Sequence, residues 1–139
     1  MNLTFLKMNI KMNNIKMTPS LEDYIEAVFV VFLEKGYIRL TDISTRLGVK
    51  KSSAAHAISH LIEMNFIKKK KYGKIILTEE GIENGKKILN KHSIIKKLLS
   101  DVFGVSEENA ESDACKIEHN ISEETLTKIR DFLEKSIKQ

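Results

Sequence analysis

Cysteine occurs once in the 139 residues, at Cys115, tryptophan does not occur, and the single proline is Pro19. One cysteine excludes an internal disulfide framework and favours a reducing, cytoplasmic setting. Long apolar runs are missing too: none approaches the roughly 20 residues needed to cross a bilayer. Residues 1–7 have too short an apolar core for a signal peptide, and no small-residue cleavage site follows. Repeats, low-complexity tracts and long linkers are also lacking.

What is present suits one compact domain or two small lobes, with 42% hydrophobic and 30% charged residues. Residues 1–80 carry 13 Lys/Arg against 8 Asp/Glu, and residues 81–139 carry 10 against 11. A basic first half beside a near-neutral second half suggests a nucleic-acid-binding lobe joined to something else. A lysine-rich solvated surface would give the same balance.

Residues 1–16 are rich in Met, Asn and Lys and lack periodicity, so we expect a disordered extension or a misassigned start, with the domain beginning near Met17. Thr18-Pro19-Ser20 opens a helix that Gly36 ends, with Leu21, Ile25, Val28, Phe29 and Phe32 as its apolar stripe. Asp23 and Glu26 are about 60° apart on its helical wheel. They need either solvent at the helix start or a compensating cation. A short extended link over residues 37–40 leads to a short helix over residues 41–47. The Gly48-Val49 turn and a second helix over about residues 52–65 then complete a helix-turn-helix pattern. Lys50 and Lys51 stand at the start of that second helix, and Ser52, Ser53, His56, Ser59 and His60 share its outward face. Such a face suits phosphate and base-edge contacts in a major groove. Two short strands joined by a Gly turn follow, and their lysines, among them Lys70, Lys71 and Lys74, make a basic wing or protect an edge strand.

A long helix is expected over about residues 79–103, with His92 inside its buried stripe between Leu89 and Ile95. A lone histidine there is more often a hydrogen-bonded core residue than a ligand. Ser106 starts a further helix carrying Asp113 to His119, D-A-C-K-I-E-H. Cys115, Glu118 and His119 stand at i, i+3 and i+4, so a helix would bring them to one face. Thiol, imidazole and carboxylate together suit a divalent transition metal, with further donors from elsewhere. A last amphipathic helix runs from Ser122, with Leu126, Ile129, Leu133 and Ile137 on one face.

The ordered set T-P-S-L-E-D-Y-I-E, a winged helix-turn-helix, K-H-S-I-I-K-K-L-L and D-A-C-K-I-E-H-N-I-S resembles the diphtheria-toxin-repressor and manganese-transport-regulator family of metal-activated DNA-binding repressors. The resemblance implies a mostly α fold with a small β-hairpin wing. A winged helix-turn-helix DNA-binding lobe would occupy residues 17–78, and a helical metal-binding and dimerisation lobe residues 79–139. By the same resemblance Asp23 and Glu26 match first-helix metal ligands of manganese-type members. His92, Glu118 and His119 match further ligands, and Cys115 matches the iron-type members. Asp23 stands where iron-type members have Met, so the chain mixes the two patterns. Lys96 and Glu111 stand where an ancillary site would want an acid and a histidine, so no such site is expected. The chain ends before the extra C-terminal domain of longer iron-type members. The implied function is a homodimeric repressor that binds double-stranded operator DNA when activated by Mn(II) or Fe(II), with Zn(II) as a further candidate, and regulates metal-uptake genes.

Two other readings compete. One is a winged-helix regulator not controlled by metal, with His92 and His119 as core residues. The other is a metalloenzyme using Glu118 as general base, against which no H-E-x-x-H motif is present.

Overall fold

Ser20 begins the first helix for a local reason. Its side-chain oxygen accepts from the Asp23 backbone N–H while Asp23 reaches back to the Ser20 N–H, a reciprocal capping box. The computed structural model describes residues 19–137, so the expectations for Thr18 and for residues 1–16 lie outside it. Helix α1 spans Leu21–Lys35, and Gly36 ends it in the left-handed conformation. Helix α2 (Leu40–Leu47) and helix α3 (Lys51–Glu63) form the helix-turn-helix, with Gly48 left-handed between them. Strands β1 (Ile67–Lys69) and β2 (Ile75–Leu77) pair antiparallel, Ile67 opposite Leu77 and Lys69 opposite Ile75. Tyr72 and Gly73 at the hairpin tip both have positive φ, which turns the chain back on itself. Helix α4 covers Glu79–Lys97, α5 covers Glu107–Ile117 and α6 covers Glu123–Ile137.

Three expectations change. The link over residues 37–40 is not merely extended, because Ile38 bridges Ile75 and adds to the hairpin edge. The long helix is not α-helical to residue 103, since Leu98–Val102 is π-helical and Phe103 N–H bonds the Leu98 carbonyl. Leu21 and Phe32 of the apolar stripe are 39% and 36% exposed, not buried.

The apolar side chains gather in two clusters. Val28, Ile43, Ala54, Leu61, Ile67 and Ile88 belong to the first, and Ile95, Ala114 and Leu126 to the second. Helix α4 enters both, because Ile88 and Ile95 lie two turns apart on it. It crosses α1 closely at Gly85, where a Cβ would come within 2.6 Å of Phe29 Cγ. That contact sets how near the first turns of α1 lie to His92.

Candidate metal centre and DNA-facing surface

Three segments meet at one point. Helix α1 contributes Glu22, Asp23 and Glu26 from its first two turns, and α4 contributes His92. Helix α5 and the turn beyond contribute Glu111, Cys115, Glu118 and His119. The three residues of the D-A-C-K-I-E-H stretch do not all ride on a helix. Cys115 lies in α5, Glu118 is its C-cap with its N–H on the Ala114 carbonyl, and His119 lies beyond it. Cys115 and Glu118 therefore face His92, whereas His119 turns towards α1.

Glu118 is the hub and is only 1% exposed. Its Oε2 accepts from His92 Nδ1 at 2.9 Å. Its Oε1 pairs with His119 Nε2 at 3.2 Å without a well-aligned hydrogen bond, and Glu26 lies beside it. His92 Nε2 donates to Glu111 Oε1 at 2.9 Å, and Cys115 Sγ is 3.7 Å from His92 Nδ1. His119 bridges Asp23 Oδ1 at 2.6 Å and Glu22 Oε2 at 2.8 Å. Asp23 serves two purposes at once, since its Oδ2 closes the α1 capping box while its Oδ1 meets His119.

The expected donors gather as two overlapping groups. His92, Cys115 and Glu118 offer ligand atoms within 4.8 Å of one another, and so do Asp23, Glu26, Glu118 and His119. Glu118 belongs to both. Glu22 and Glu111 went unremarked as site residues. Glu22 meets His119 and Glu111 meets His92, the latter at the position where an ancillary site would want a histidine. The usable signal for Glu111 was its place one turn before Cys115, on the same helix face.

The centre is rich in carboxylates, and its titration shows it. The bond to Glu118 raises His92 to about 9 against the opposing effect of burial, and Glu111 adds to the rise. Burial, then Glu118 beside it, raises Glu26 to about 8. Cys115 is exposed as a residue, but partial burial of its thiol, reinforced by the charges of Glu118 and Glu26, raises it to about 11. Burial lowers His119, but Glu22, Asp23 and Glu118 hold it above its ordinary value. The His92 bond lowers Glu111, with burial opposing and Lys96 assisting. Protons thus hold positions that a divalent cation would take. A buried carboxylate oxygen without a hydrogen bond, beside imidazole, thiol and carboxylate donors, fits a divalent transition metal.

The other face is simple. Lys50, Lys51, Ser52, Ser53, His56, Ser59 and His60 are exposed, and so are the wing residues Lys70, Lys71 and Lys74. Ala54, Ala57, Ile58 and Leu61 anchor the opposite side of α3 in the core.

Comparison with known proteins agrees with this layout. Residues 16–75 match the family described as iron dependent repressor, N-terminal DNA binding domain. Residues 78–137 match the iron dependent repressor metal binding and dimerisation domain. An uncharacterized HTH-type transcriptional regulator of Methanocaldococcus jannaschii is 37% identical over 120 residues, covering 86% of this chain and 96% of that one. The HTH-type transcriptional regulator MntR of Geobacillus kaustophilus is 35% identical, covering 84% of this chain and 82% of its own. Among solved structures, T. acidophilum IdeR superposes with a TM-score of 0.76 at 33% identity, over 85% of this chain and 55% of that chain. The manganese regulator SloR, at 21% identity, shares the fold with a TM-score of 0.76. The chain therefore spans only about half the length, 55%, of these solved chains. No helix among the described residues is long and apolar enough to cross a membrane. The metalloenzyme reading falls, and a metal-binding domain over residues 78–137 weighs against a regulator indifferent to metal. This chain belongs to the iron-dependent repressor family and is a metal-dependent, DNA-binding transcriptional regulator, not an enzyme.

Proposed function

We propose that the chain works as a cytoplasmic homodimer that binds double-stranded operator DNA when Mn(II) or Fe(II) occupies the centre built around Glu118, and that it represses metal-uptake genes. Asp23, Glu26, His92, Cys115, Glu118 and His119 are the proposed ligands. A bound divalent cation supplies positive charge where Glu26 and His92 otherwise hold protons. The single observation that carries the reading is the convergence of ligand atoms from α1, α4 and α5 with its following turn on the buried Glu118, whose Oε1 lacks a hydrogen bond.

Asp23 and Glu26 sit on the helix that packs against α2 and α3, whereas His92, Cys115 and Glu118 belong to α4 and α5. Side chains from both groups holding one cation would fix α1 against the second cluster, and so the recognition helix against the dimer. Two recognition helices must sit about one DNA turn apart, so a small change in that angle alters affinity. Cation binding need only favour the DNA-competent arrangement over a slacker one. Cys115 favours softer metals and Asp23 harder ones, and Zn(II) should bind at least as tightly as Fe(II) on intrinsic order.

Gel-shift titration with Mn(II) tests the ligand set. Asp23→Ala and His119→Ala should lose metal-dependent operator binding while keeping wild-type circular dichroism. Full metal response in either variant would remove that residue from the proposed centre.

A further inference from the structure

Four histidines occur in the chain, and two of them, His56 and His60, stand away from the centre on the exposed face of α3. Their Nε2 atoms are 3.2 Å apart. The rings meet edge to face, with centroids 4.6 Å apart and planes at 88°. Two imidazole nitrogens each about 2.0–2.1 Å from a tetrahedral zinc are separated by roughly 3.3 Å. The pair is therefore spaced for bidentate chelation without moving the helix. Glu63 Oε2 lies 3.6 Å from the other nitrogen of His60, Nδ1. A carboxylate there favours the tautomer that keeps the Nδ1 proton and leaves Nε2 free to ligate. The i, i+4 spacing is that of helical zinc-binding histidines, but Ala57 occupies the place where a hydrolase would carry its glutamate. Binding without catalysis is what such a pair can do.

We propose that His56 and His60, oriented by Glu63, form a second metal site on the recognition helix, selective for imidazole-preferring ions of the zinc class. Two protein ligands leave the remaining positions to water, so this site is weaker than the six-donor centre and fills only in metal excess. Manganese, which prefers oxygen donors, fits it poorly. If this face also reads DNA, as proposed above, the ion and DNA compete for the same side chains, and zinc excess is sensed where the operator binds.

Calorimetry with Zn(II) on the untagged full chain tests the site. Wild type should take up a weaker equivalent after the first class of sites is full, and His56→Gln/His60→Gln should lack it. Asp23→Ala/His119→Ala should retain it, and Glu63→Gln should weaken it about tenfold. All three residues are exposed, so folding is not at stake. An undiminished weak equivalent in the double histidine variant overturns the proposal. A second arm repeats the titration with a saturating DNA duplex. Loss of the weak equivalent supports competition on the DNA face. Its persistence overturns the competition and the DNA-facing role of these histidines, and leaves the metal site to the first arm.

Discussion

Asp23 shows how one residue can satisfy two readings of a sequence. One carboxylate oxygen caps α1 and the other meets His119, so helix cap and candidate ligand are the same side chain. Glu118 differs, because burial leaves it almost no solvent and one oxygen paired with His119 but without a hydrogen bond. These environments make the metal-free protein sensitive to alkali. His92 is raised from 6.5 to about 9, so its stabilisation is complete below the ordinary value and is lost as pH climbs to 9. Glu26, raised from 4.5 to about 8, has the same sign over a lower window. Urea denaturation in chelator should therefore show stability falling between about pH 6.5 and 9. Manganese should bind more tightly over the same interval, because its ligands must first give up those protons. A flat stability profile would mean that His92 and Glu26 do not hold protons as described.

At the scale of elements, the crossing of α1 and α4 at Gly85 controls how the two donor groups approach each other. Alanine at position 85 would gain up to about 1 kcal/mol of helix propensity. Against this, its Cβ would stand 2.6 Å from Phe29 Cγ, and overpacking of that kind costs about 1–3 kcal/mol. The clash should win. Gly85→Ala is expected to lower the urea midpoint in chelator and to weaken manganese binding, because α1 must move away from α4. A rise in stability would show that Phe29 can swing aside. The π-helical Leu98–Val102 segment is a similar case, since the apolar periodicity around it reads as continuous α-helix. A widened turn changes one hydrogen-bond register and leaves little trace in composition.

Taken whole, the molecule places its lysine wing and the outward face of α3 on one lobe and its acidic centre where α1 meets α4 and α5. Binding of duplex DNA should thus depend steeply on salt. Replacing Lys70, Lys71 and Lys74 by alanine should reduce the slope of log affinity against log salt by about 0.9 for each phosphate contact removed. An unchanged slope would assign those lysines to edge protection alone. Most of the fold was legible locally. The Ser20 cap, the Gly36 and Gly48 stops, the helix-turn-helix and the basic hairpin each follow from short-range preferences that residues express wherever they stand. Of the candidate donors, type and spacing pointed only to Cys115, Glu118 and His119, whereas Asp23, Glu26 and His92 came from the family resemblance. Only tertiary structure decided that they form two groups sharing Glu118, that Glu22 and Glu111 belong with them, and that Ile38 joins the hairpin. The reason is physical. Periodicity determines which face of an element is apolar, but the distance between side chains on different elements depends on how those faces pack, and here that rests on a glycine against a phenylalanine.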